Sequence, residues 1–156
     1  QLEAAYRKYR YLGWAGYTGF LRAKILSKQN KHSDAEQVCR DALSMPNSDL
    51  EKAKLNQGLI QAMLAQNKTA AAKKALEKMR TTDPKVAAFV FNARGQLLQK
   101  EGKPKEAILQ YLKTVLLFDK SVGSIRQDAY KEVVGILESL KDNRAASFKA
   151  RYNQEY

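Results

Sequence analysis

LQKEGKPKEAILQYLKTV, Leu98 to Val115, decides how this chain folds. A helix-like run stops at Gly102, a residue type that takes the left-handed backbone conformation at a helix C-terminus without steric cost. Ala107 follows five residues later, Tyr111 four beyond it, and Thr114 three further on. Two earlier stretches have the same layout: SKQNKHSDAEQVCRDAL, Ser27 to Leu43, and LAQNKTAAAKKALEKMR, Leu64 to Arg80. Their stop residues are Asn30 and Asn67, their alanines Ala35 and Ala72, and their larger residues Cys39 and Leu76, followed by Ala42 and Met79. The stops lie 37 and 35 residues apart.

The pattern has a packing cause. Two helices joined by a short turn run antiparallel, and where their axes approach closely only a small side chain fits. Alanine at that crossing admits the neighbouring backbone, and the larger residue one turn on fills the space beside it. Pro84 closes the second unit and Pro46 the first, because proline suits the break between helices. The composition agrees. Alanine, leucine, lysine, glutamine and glutamate are all good helix formers, and no alternating β-branched or aromatic run argues for a strand.

Working outward, Ile125 to Leu140 reads as an amphipathic helix with Ala129, Val133, Ile136, Leu137 and Leu140 on one side. Lys141, Asp142 and Asn143 form a turn, and Ala145 to Tyr156 reads as the paired helix carrying Ala146, Phe148 and Tyr152. Leu2 to Tyr11 reads as a leading helix. The expected organisation is a single domain over residues 1–156, with a leading helix at 1–12, repeats at 16–47, 50–84 and 86–119, and a degenerate fourth repeat or cap at 122–156.

These spacings resemble the tetratricopeptide repeat, a helical hairpin of about 34 residues. The third unit is the best match, with Gly95, Leu98, Gly102, Ala107 and Tyr111 where that family prefers glycine, a large apolar residue, glycine, alanine and an aromatic. The first unit offers Ala23, Leu26, Asn30, Ala35, Cys39 and Ala42. The second departs from the pattern: Gly58 is two residues out of register and Ile60 stands at the small site. The resemblance covers roughly Gly16 to Asp119. It implies an all-α fold, a right-handed α-α solenoid of antiparallel hairpins. The third and fourth units are also loosely similar to repeat proteins of bacterial cell envelopes, which implies a periplasmic or envelope location ahead of a cytoplasmic one.

The residue inventory argues against catalysis. The single histidine, His32, falls in the first expected turn, where a solvated side chain is expected. The single cysteine, Cys39, has no cysteine or histidine at metal-ligand spacing and reads as a small buried residue on a helix. No zinc-protease, nucleophile-elbow, Walker or dinucleotide motif occurs. Gly13, Gly16 and Gly19 have no preceding strand to make a phosphate cradle and read as close helix packing or a frayed helix start. The acidic residues are scattered. No cofactor and no metal are expected, and no apolar run reaches the roughly 18 residues a membrane-spanning helix needs.

What remains is binding. The resemblance implies a concave face lined by the first helix of each hairpin. That face would carry Tyr17, Phe20, Leu21, Lys24 and Lys28 in the first unit, Lys54, Gln57, Gln61 and Leu64 in the second, and Phe89, Asn92, Gln96, Gln99 and Lys100 in the third. Amides pair with an extended peptide backbone, lysines favour acidic residues, and aromatics supply buried area. For Phe20 and Phe89, core packing is the stronger expectation. The clamp by which chaperone-binding family members hold a C-terminal carboxylate is missing, because the corresponding positions read Phe20, Lys24, Gly58, Phe89 and Ala93. The leading expectation is a non-catalytic scaffold for a protein or peptide partner, favouring an acidic one, within an envelope assembly. The net charge of +12 keeps a nucleic-acid or anionic-polymer binder as an alternative, although the lysines are spread along the chain like a solvated face. A helical accessory domain of a larger enzyme is the third reading.

Overall fold

The computed structural model describes residues 15–79 and 81–156 together with Ala4. The expected leading helix and Gly13 lie outside these residues. Eight α-helices and one short 3-10 turn account for the regular structure, with no strand among the described residues. The chain divides into two compact units between Thr81 and Thr82.

The first unit contains α1 (Ala15–Lys28), α2 (His32–Leu43), α3 (Asp49–Ala65) and α4 (Thr69–Lys78). The second contains α5 (Pro84–Lys100), α6 (Pro104–Leu117), the 3-10 turn Lys120–Val122, α7 (Ser124–Ser139) and α8 (Arg144–Glu155). In each unit successive helices pack as hairpins, and the first helices of the two hairpins also touch, α1 against α3 and α5 against α7. No described helix is long and apolar enough to cross a membrane.

The turn inside each hairpin is built one way. Asn30, Asn67 and Gly102 have φ of 60°, 58° and 74°, as their residue types require. The next residue, Lys31, Lys68 or Lys103, donates its backbone N–H back to Leu26, Met63 or Leu98 at 2.8 to 2.9 Å, satisfying a carbonyl the helix would otherwise leave bare. The same lysine carbonyl then accepts from Ala35, Ala72 or Ala107 at 3.0 Å. The alanine is thereby fixed in the first turn of the returning helix, and all three are fully buried. Cys39, Leu76 and Tyr111 are buried behind them.

A fourth turn shares the first half of this design. Lys141 has φ 54°, and Asp142 donates to Leu137 at 2.9 Å. Its second half differs. The Asp142 carboxylate caps the Arg144 N–H at 3.0 Å, and the Asp142 carbonyl accepts from Ala145 at 3.1 Å. The returning helix is therefore entered on another register. Ala145 is buried and Ala146 exposed, which corrects the expectation for Ala146. Leu140 is also corrected: it follows the last residue of α7 and is 40% exposed, whereas Ala129, Val133, Ile136 and Leu137 are buried as expected.

Caps set the other boundaries. Ser48 and Glu51 make a reciprocal capping box at the start of α3. Asp83 caps the Val86 N–H, with Pro84 in the first helical position, where its missing donor costs nothing. Asn47, rather than Pro46, closes α2 chemically by donating from Nδ2 to the carbonyls of Ala42 and Met45, each at 2.7 Å.

Two glycines mark close approaches. A Cβ on Gly95 would lie 2.7 to 2.8 Å from three atoms of the Tyr111 ring. Gly58 instead faces Cys39 Sγ of α2, Phe20 and Ala23 of α1, so it serves the junction between hairpins and not the turn of its own. This explains why it stands two residues away from the repeat position, which buried Ile60 occupies. Gly16 is buried against Asn47 and Glu51, the close packing expected of it.

Candidate functional site

The first-helix faces were singled out by sequence, and the two units present theirs differently. On α1, Tyr17 is 46% exposed and Lys24 and Lys28 are exposed. They follow one another at seven- and four-residue steps, which puts them on one stripe of the helix. Phe20 is half-buried because its ring leans on Gly58 of α3. On α3, Gln61 is exposed, Lys54 and Gln57 are half-buried, and Leu64 belongs to the core. α1 and α3 pack against each other, and their exposed side chains include the tyrosine, lysines and glutamine named above.

On α5, Gln96 and Lys100 are exposed, whereas Phe89 is buried as core. Asn92 is 8% exposed and ties the two first helices of its unit together, donating from Nδ2 to the Ile125 carbonyl of α7 at 2.7 Å. That bond fixes which way the amide points, and it leaves Asn92 Oδ1 buried without a hydrogen-bond donor. Gln99 is half-buried and fully engaged. It accepts from Tyr111 Oη at 2.7 Å and donates to Glu132 of α7 at 3.1 Å.

Sequence reasoning missed the electrostatic centre of the first unit. Glu36 on α2 is 7% exposed, yet it carries a full charge. It accepts from Arg40 at 2.8 Å, from Lys68 at 2.8 Å and from Gln66 at 2.9 Å. Burial alone would raise its pKa, but the hydrogen bonds from Lys68, Arg40 and Gln66 outweigh it and hold the carboxyl at about 2. Gln66 also donates to the His32 carbonyl at 3.2 Å. Because Gln66 and Lys68 flank the α3–α4 turn, this network fastens the second hairpin to the first. His32 is accordingly the half-buried first residue of α2 and not a solvated turn residue, which corrects that expectation. Its spacing of four from Glu36 is the one signal that could have placed it on the helix.

The second unit has its own ion pair, with a buried arginine and a half-buried glutamate. Arg126 on α7, 9% exposed, donates to the Val115 carbonyl at 3.1 Å, to Tyr156 Oη at 3.1 Å and to the carboxylate of Glu155. Glu155 also accepts from Tyr130 Oη at 2.7 Å. The rings of Tyr130, Tyr152 and Tyr156 gather around this pair, with centroids 5.5 to 6.3 Å apart, and lock α8 onto α7.

Cys39 is fully buried, and burial together with the Glu36 charge pushes its thiol up to about 12. Among the described residues, no three histidine, cysteine or carboxylate side chains converge as a metal would require. The chain matches no family model, no curated protein and no solved structure.

Proposed function

We propose that the chain is a non-catalytic protein-interaction scaffold whose hairpins belong to a right-handed α-α solenoid of tetratricopeptide type, binding a peptide or protein on its first-helix face. The observation that carries this reading is the threefold turn, in which a left-handed residue, a lysine and a buried alanine recur with identical hydrogen bonding. Repeated hairpins with packed first helices form the architecture that presents such a face. Exposed Lys24, Lys28 and Gln61 in the first unit, and Gln96 and Lys100 in the second, each suit an acidic partner with free backbone amides. By its loose envelope likeness, the partner belongs to a bacterial envelope assembly. The test is recovery of a partner by the intact chain, repeated with Lys24, Gln61 and Gln96 each replaced by glutamate. Loss of the partner is the expected result, and unchanged recovery means that the face is wrong.

Charge favours one alternative. Residues 1–81 hold 15 lysines and arginines against 7 aspartates and glutamates, so a polyanion binder would bind through the first unit. Binding through phosphates weakens steeply as salt rises, whereas peptide capture by amides and aromatic area does not. A salt titration against single-stranded nucleic acid separates the two readings, and no binding at low salt eliminates the alternative.

A further inference from the structure

A second surface, outside the first-helix face, lies on the outer side of α6. Leu109 and Leu116 are 60% and 68% exposed there, with half-buried Leu112 between them. Their spacing of three and four residues sets the leucines in one stripe, about 10 Å long at 1.5 Å per residue. Beside this stripe is an open cavity of about 900 Å3, with Ile108, Leu109, Leu112 and Leu140 supplying its apolar surface. Its rim is basic. Arg144 and Asp142 pair with each other through two hydrogen bonds at 2.7 and 2.9 Å, which leaves the ammonium groups of Lys105 and Lys141 as the unbalanced charge.

Lys141 is the odd residue. Of the four left-handed turn positions, three hold asparagine or glycine, the residues that tolerate it, and this one holds lysine in a conformation its Cβ disfavours. A strained residue that also supplies one of two unpaired charges on an apolar cavity points to a ligand.

We infer that this cavity docks an acidic amphipathic helix, which seats leucine-class side chains against Leu109, Leu112 and Leu140 and sets carboxylates against Lys105 and Lys141. A helix is favoured because the described residues offer no sheet edge for an extended strand, and the lining is aliphatic where a polyproline segment needs aromatics. The recess walled by Ile108, Leu112 and Leu140 takes a protruding side chain, while the exposed Leu109 and Leu116 would also suit a membrane surface, so vesicle binding is one outcome of the test.

The test uses the intact chain and an 18-residue fluorescent helical peptide with leucines at helical spacing and glutamates elsewhere, read by anisotropy. A partner peptide carries lysine at every glutamate position. The acidic peptide is expected to bind at least tenfold more tightly than its lysine counterpart. Leu109→Gln should weaken it at least tenfold with the helical circular-dichroism signal unchanged. Lys141→Gly should weaken it severalfold while raising the thermal midpoint, a pair of opposite signs that a merely structural lysine would not produce. Gln96→Glu, on the other face, should leave it unchanged, so failure here and failure of the first-helix reading are distinguishable. Equal affinity for both peptides, binding only to phosphatidylglycerol vesicles, or self-association abolished by Leu109→Gln would each overturn the assignment.

Discussion

Replacing Gly95 by alanine should destabilise the second unit, although a glycine in mid-helix is ordinarily a defect. Gly95 lies within α5, and on an open helix surface the change would stabilise by about 1 kcal/mol. Here the new methyl carbon would sit 2.7 to 2.8 Å from three ring atoms of Tyr111. Carbon pairs prefer about 3.5 to 4.0 Å. The ring has nowhere to retreat. It is fully buried, its hydroxyl is held by Gln99 at 2.7 Å, and three residues on Thr114 ties α6 to the Ala88 carbonyl at 3.2 Å. The helices must separate, and such overpacking costs about 1–3 kcal/mol. After the propensity gain, the net loss should be up to about 2 kcal/mol, which moves a urea midpoint down by up to roughly 1 M at ordinary slopes. Gly135→Ala is the control. That glycine is exposed within α7 with nothing inside 4 Å of its added carbon, so this change should raise the stability by about 0.5–1 kcal/mol. Tyr111→Leu opens space beside residue 95, so in the double variant Gly95→Ala should cost less than it does alone, with a coupling of about 1 kcal/mol or more. Urea unfolding followed by far-ultraviolet circular dichroism measures all four proteins. A Gly95→Ala that stabilises as much as Gly135→Ala, or strict additivity with Tyr111→Leu, would refute the close-approach argument.

The other predictions use the same measurements. Lys141→Gly relieves a left-handed lysine at an exposed turn and should stabilise by about 1 kcal/mol in urea unfolding, with Lys141→Asn intermediate. Glu36 has a folded pKa of about 2 against 4.5 for the unbound group, so its contribution, roughly 3 kcal/mol at most, is full above pH 4.5 and fades as pH falls towards 2. Glu36→Gln should lower the urea midpoint at pH 7 and flatten its fall between pH 5 and 2, whereas an unchanged acid slope would mean that the network carries no charge. Cys39 should resist iodoacetamide in the folded chain at pH 8 and react fully in 6 M urea, and rapid native labelling would contradict its burial.

How much of this could be read from the sequence follows from which features are local. The left-handed stops at Asn30, Asn67 and Gly102, and the alanines five residues on, were legible because both requirements act on a single residue: a tolerated φ and a small volume. The Glu36 network was not, since it joins residues 30 and 32 apart, and no local signal marks one glutamate among many as buried. The candidate face was legible only as helix positions. Tyr17, Lys24 and Gln96 stand exposed, but Asn92 is turned inward by its bond to a carbonyl 33 residues away, which no periodicity announces.

The fourth turn shows where pattern reading reaches its limit. Composition predicts glycine or asparagine at its left-handed position, and Asn143 is the nearest candidate; the chain places Lys141 there instead. Once the helix stops at Lys141, Asp142 is free to cap Arg144, and the returning helix must bury Ala145 four residues past the stop and not Ala146 five past it. The register of the helix that follows is thus set after the stop, by the Asp142 cap and the bond from Ala145 to the Asp142 carbonyl. The lysine is the local choice that conflicts with the fold, and such conflicts concentrate where function opposes stability.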